Sequence, residues 1–167
     1  LGIRVLAART AATESVLAYA SLADLLGDVE AAVLADLPVP QRTAMDRVLL
    51  RGTGDDDEAT DPRAVAAGFV SVVERLADES PVIIAIDDLQ WLDTSSRQVV
   101  AFAARRLVGR VALLGTVRTE PQHSAAVSWL QLPRVDAVDR IRLQPLSLGK
   151  LHGVLVDRLG LSLPRPT

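Results

Sequence analysis

The chain contains no cysteine. That removes disulfide staples and thiolate metal sites, and it is compatible with a reducing compartment. Lysine is almost as scarce: Lys150 is the only one, and every other basic side chain is arginine. Any motif that requires lysine must therefore include residue 150. Aromatics make up 3% of the residues, so the core has to be assembled from Leu, Val, Ile and Ala, the usual filling between helices and a sheet. This favours α/β over a β-sandwich. No apolar run approaches the ~18 residues that a membrane-spanning helix needs, and Leu1-Gly2-Ile3-Arg4 does not read as a signal peptide. A net charge of −3 supplies no concentrated Lys/Arg surface for a phosphate backbone. Neither nucleic-acid contact nor membrane attachment is expected of this segment, and a cytoplasmic location is the default expectation.

What is present is enough for one domain with a real core: 167 residues, 49% hydrophobic and 23% charged, ordinary values for a globular chain. Gly2 to Ala8 alternates as a short strand. Leu22, Leu25, Leu26, Val29, Val33 and Leu37 recur at helical spacing, predicting one helix from a Ser21 cap to a stop at Pro38. A second short helix is predicted over Gln41 to Leu50. Asp61-Pro62 opens a third by N-cap and first-turn proline, with Val65, Phe69, Val72, Val73 and Leu76 as its buried stripe. Pro81 to Ile86 reads as a strand buried on both faces. Asp93 to Ser96 offers several caps for a helix through Leu107, with Val99, Val100, Ala103 and Leu107 inward. Val111 to Val117 reads as a second buried strand. A helix around Ala125 to Leu130, a strand near Arg140 to Leu143 and a helix from Ser147 to Leu159 complete an alternation that implies a parallel sheet.

Several features lead nowhere. The acidic run from Asp55 to Asp61 lacks calcium-loop spacing, since Thr60 and Ala66 stand where an EF-hand needs Gly and Glu; it reads as a solvated loop. His123 and His152 are far apart in different predicted elements and do not suggest a shared metal. Arg105, Arg106 and Arg110 gather at a helix end, where cations suit the dipole. Trp91 reads as a packing anchor, and Leu163 to Thr167 as a tail or linker.

The chemistry concentrates where the Pro81 strand ends in Asp87-Asp88. Ligands of open α/β sheets sit outside the carboxyl ends of the strands. A carboxylate pair there suits phosphoryl transfer, with Asp87 on the Mg²⁺ side and Asp88 orienting an attacking water. The alternative is that both carboxylates merely cap the following turn. Arg118 ends the neighbouring strand, where it could sense a γ-phosphate or offset the repulsion between the two aspartates.

Ile86-Asp87-Asp88-Leu89-Gln90-Trp91-Leu92-Asp93, with a serine soon after, resembles the Walker B segment of the signal-transduction ATPases with numerous domains (STAND), and more narrowly the AAA-type ATPase domain of large LuxR-type transcriptional regulators. Leu114-Gly115-Thr116-Val117-Arg118 resembles the sensor strand of that family, and Leu143-Gln144-Pro145-Leu146-Ser147 its following strand-to-helix element. The resemblance implies a three-layer P-loop NTPase-like α/β fold, with a parallel sheet and helices on both faces. It implies ATP and Mg²⁺ as cofactors, Asp87 as the metal-side residue, and Asp87, Asp88 and Arg118 around the nucleotide, with Asp88 and Arg118 catalytic. Other domains of the same regulator, or further copies, are the implied protein partners.

No Walker A loop, G-x-x-x-x-G-K-[ST], occurs in the chain: Lys150 is followed by Leu151, and the earlier glycine position is Gln144. Residues 1–160 are therefore expected to be a partial P-loop domain lacking the Walker A strand and helix, with 161–167 a tail. Such a piece should be marginally stable, because its sheet keeps unpaired edges, and inactive alone. The alternative from another class is a catalytically silent module that pairs with another ATPase or regulator domain. A response-regulator receiver is excluded, since the acidic strand falls mid-chain and the Arg118 strand ends without an Asp.

Overall fold

The computed structural model describes residues 2–51, 60–118, 130 and 138–160. The chain forms two compact units, Leu1–Pro133 and Arg134–Thr167. In the first, three parallel strands make one open sheet in the order β1 (Arg4–Arg9), β2 (Val82–Asp87), β3 (Val111–Gly115). The register aligns Leu6, Ile84 and Leu113 on one face and Val5, Ile83 and Ala112 on the other, because side chains alternate along each strand. On the first face Leu6, Ala8, Val82, Ile84 and Ile86 are buried in the core. The second face is more open: Ile83 and Ala85 are half-buried, Val5 is 55% exposed and Leu114 61%. The expectation of burial on both faces of β2 is thus met fully on one, and β3 is at most half-buried.

Helix α4 (Pro62–Glu79) follows the sequence closely. Asp61 caps it by accepting from the Arg63 N–H at 2.9 Å, and its entire predicted stripe is buried. It packs against α3 (Val39–Val48) and α5 (Thr94–Ala104). Gly68 permits the close α3 contact, because a Cβ there would meet Met45 Cγ at 3.1 Å and the Gln41 carbonyl at 3.3 Å. Val99, Val100 and Ala103 face inward from α5, while Leu107 lies beyond its end and is partly buried. The arginines here do specific work. Arg110 donates to the Ala77 and Asp78 carbonyls at 2.6 and 2.7 Å, satisfying the last turn of α4. Arg106 lies 3.4 Å over the Phe102 ring.

The helix predicted from Ser21 to Pro38 is two helices, α1 (Ala20–Leu26) and α2 (Ala31–Ala35). Leu22, Leu25, Leu26, Val29 and Leu37 are buried all the same, while Val33 is half-buried and Leu34, outside the predicted stripe, is buried in its place. The apolar spacing is satisfied across the break, and the turn-forming Gly27-Asp28 pair provides it. Ser21 sits inside the first turn of α1, whose N-cap is Tyr19 in the left-handed region at φ 62°.

The second unit contains α6 (Leu148–Leu159), capped by Ser147 and closed by Gly160 at φ 64°. The strand expected at Arg140–Leu143 is absent. Among the described residues of this unit α6 is the only regular element, so Arg140–Leu143 has no strand partner within its own unit. All but Leu130 of the helix predicted at Ala125–Leu130, His123, most of the acidic loop and the 161–167 tail lie outside the described residues.

Candidate functional site

All three strands run the same way, so their carboxyl ends gather at one edge of the sheet. Pairing of Arg9 with Asp87 and of Ile86 with Gly115 brings Arg9-Thr10, Asp87-Asp88 and Thr116-Val117-Arg118 together. Asp87 closes β2, and Asp88 turns the chain sharply at φ 62° and ψ 54° into a 3-10 turn, Leu89–Trp91. Aspartate tolerates this left-handed conformation better than most residues.

Two threonines hold the turn. The Thr116 hydroxyl donates to Asp87 Oδ1 at 2.5 Å and accepts from the Asp88 N–H at 2.9 Å. The Thr116 main chain adds bonds to Leu89 N and Ile86 O at 2.9 and 3.1 Å. From the other side, the single proton of the Thr10 hydroxyl is shared between the Asp88 carbonyl at 2.6 Å and the Asp87 carbonyl at 3.0 Å. The Thr10 N–H also reaches the Asp87 carbonyl, at 3.2 Å. Gly115 admits the buried Leu89 side chain to the place where a Cβ would stand.

The Asp88 carboxylate accepts from Gln90 Nε2 at 2.8 Å and from Arg118 Nε and a terminal Arg118 nitrogen, each at 3.3 Å. Gln90 Oε1 in turn accepts from the Arg118 N–H at 3.3 Å. The Gln90 bond first, and the Arg118 bonds next, hold the Asp88 carboxyl below its ordinary value by favouring the charged form. Asp88 caps no helical N–H with its side chain; Asp93 does the capping in this segment. Arg9 Nε lies 3.7 Å from Asp87 Oδ2, a well-solvated pair worth little by itself.

Asp87, Asp88 and Arg118 are thus brought together as the sequence suggested. The sequence reading missed Thr10, the Thr116 hydroxyl and the Gln90 bridge. Asp93, 1% exposed, is the N-cap that the sequence offered for α5, accepting from Ser96 N at 2.8 Å; what the reading missed is that it also accepts from the Tyr19 and Ser21 N–H groups at 3.0 and 3.2 Å. Ser96 Oγ accepts from Leu22 N at 3.0 Å. The start of α1 is therefore capped by residues of α5 and its own N-cap.

Among the described residues no cluster of three or more His, Asp or Glu side chains could enclose a metal. A magnesium ion does not require one: it keeps several waters and binds through one or two carboxylates plus substrate phosphates. Asp87, half-exposed and steadied on one oxygen by Thr116, fits that role. Asp88, engaged by Gln90 and Arg118, is placed beside it.

A parallel α/β sheet with paired carboxylates and an arginine on its carboxyl edge has the form of a P-loop-like nucleotide domain. The sequence carries the assignment further: a family model described as AAA ATPase domain matches residues 3–114, and the chain belongs to that family. No curated protein and no solved structure matches it. Among the described residues no helix is long and apolar enough to cross a membrane.

Proposed function

We propose that residues 1–160 are the Walker B and sensor portion of an ATP-binding domain of the STAND type, from a large LuxR-type transcriptional regulator. The observation that carries this reading is the convergence of Asp87, Asp88, Thr116 and Arg118 from adjacent parallel strands on one sheet edge. Asp87 would hold Mg²⁺ through its water shell, and the ion, when bound, supplies neutralisation of the phosphate charge. Asp88 orients water by accepting its proton-bearing side. Arg118 exchanges its bond to Asp88 for the γ-phosphate, which releases Asp88 for that task. No sequence in these 167 residues matches the phosphate-cradling G-x-x-x-x-G-K-[ST], so this chain alone is expected to bind nucleotide weakly and to turn none over.

The test is equilibrium binding of a fluorescent ATP analogue with and without Mg²⁺, on the chain and its Asp87→Ala and Arg118→Ala variants. Weak, magnesium-dependent binding that both substitutions abolish is expected. Binding indifferent to Mg²⁺ or to Asp87 would refute the site, and phosphate release would refute the expected inactivity. A second reading, a silent interaction module, is favoured by the apolar side chains exposed on the open sheet face, Val5 and Leu114. Complete absence of nucleotide binding at millimolar concentration would select it.

A further inference from the structure

We infer that Thr10 is a positioning residue for the acidic turn: its hydroxyl, from the end of β1, sets the backbone conformation that aims the Asp87 and Asp88 carboxylates. The purpose of that positioning rests on the nucleotide reading above; its content rests on backbone geometry alone. Asp88 occupies a left-handed conformation that side-chain-bearing residues adopt at a cost, and such conformations persist only where the surroundings over-determine them. The peptide carbonyls on either side of the Asp88 φ/ψ pair belong to Asp87 and Asp88. Both are gripped by the one Thr10 hydroxyl, at 3.0 and 2.6 Å, and the Asp87 carbonyl takes the Thr10 N–H as well.

Thr10 is 6% exposed, so water does not readily replace its hydroxyl; without it the Asp87 carbonyl would keep only the Thr10 N–H and the Asp88 carbonyl only the Trp91 N–H at 2.9 Å, and each would lose one of its two donors. Thr116 contributes from the opposite side, but to an Asp87 side-chain oxygen and to the Asp88 N–H. Thr10 alone among the two reaches the carbonyls. It touches neither carboxylate, so its effect on them passes through the main chain.

The test compares the full chain with Thr10→Val, which keeps the shape and removes the hydroxyl, and Thr10→Ser, which keeps the hydroxyl. Two quantities are read by NMR: the Asp88 backbone shifts, which report its left-handed conformation, and the Mn²⁺ concentration that half-broadens the Asp87 and Asp88 amide signals. Thr10→Val is expected to move the Asp88 shifts out of the left-handed range and to weaken Mn²⁺ about fivefold, the effect of one net hydrogen bond. Thr10→Ser should restore both. A folded Thr10→Val with unchanged Asp88 shifts overturns the inference, as does a Thr10→Ser that behaves like Thr10→Val.

Failure of Mn²⁺ to bind even the unsubstituted chain counts against the nucleotide reading only, and the Asp88 shifts then decide the role of Thr10. Should Thr10→Val not fold, the unsubstituted chain still answers. A hydroxyl proton of Thr10 slow to exchange and close to the Asp88 backbone supports the inference; one in free exchange with water refutes it.

Discussion

Asp93→Ala tests how much stability one buried carboxylate contributes when it serves two helices. Asp93 is its own helix's N-cap, through Ser96 N, and it supplies acceptors to the Tyr19 and Ser21 N–H groups at the start of α1. A lost N-cap costs about 0.5–2 kcal/mol, and a hydrogen bond to a charged acceptor contributes about 1.5–3 kcal/mol. The three bonds share one side chain and do not add, so two caps lost at the upper end of their range set the scale at about 3–4 kcal/mol. Asp93→Asn keeps one acceptor oxygen for Tyr19 and Ser96 but turns an N–H donor toward Ser21, and should cost about 1–2 kcal/mol. Domains of this size are stable by about 5–15 kcal/mol. With a urea slope near 2 kcal/mol per molar, the Ala variant's midpoint should fall by about 1.5–2 M. If the chain is only marginally stable, as unpaired sheet edges suggest, the variant should already be unfolded in water by circular dichroism. A midpoint shift below about 0.5 M, or equal losses for Ala and Asn, would refute the double-cap account.

Phe69→Ala, at the centre of the α4 stripe and fully buried, should cost about 3–5 kcal/mol in the same assay. Gly115→Ala should cost about 1–3 kcal/mol by driving a Cβ into Leu89, and the double variant with Leu89→Ala should recover part of that loss; strict additivity would show that the two do not collide. Tyr19, the only tyrosine, is held above its ordinary value of 10.0 by burial and then by the Asp61 and Asp93 charges. The fold prefers the neutral phenol, so its stabilising contribution is full below about pH 10 and is lost as the pH rises through the higher folded value. Tyrosinate absorbance should titrate above the free-tyrosine range in the native chain and return to it in urea.

The parts legible in the sequence were those whose signals are local. Asp61-Pro62 and the Val65 to Leu76 stripe announced α4, and an apolar run closing on Asp87-Asp88 announced both β2 and its edge. Arg118 was legible for the same reason, as a charge ending an apolar strand. The break inside Ser21–Leu37 was not, because two short helices bury the same leucines as one long one and only Gly27-Asp28 marks the difference. The expected strand at Arg140 failed because a strand is defined by its neighbour, which no local pattern supplies. Thr10 and Gln90 were invisible on similar grounds: a threonine after an arginine is unremarkable until the register sets Arg9 against Asp87. The one available signal was that β1 and β2 end in charged residues and β3 is followed by Thr116 and Arg118, so that polar groups must share the edge.

The two threonines that grip the acidic turn stand at very different distances along the chain. Thr116 is 29 residues from Asp87, whereas Thr10 is 78 residues from Asp88. Closing the longer loop costs about 0.9 kcal/mol more in chain entropy, and α1, too short to persist alone, cannot shorten it in advance. The two grips on the acidic turn therefore differ in kind: Thr116 belongs to a short, local β2–α5–β3 unit, whereas Thr10 ties that unit to the far end of the chain, so the shape of the carboxylate pair depends on the N-terminal strand as well as on its own neighbours.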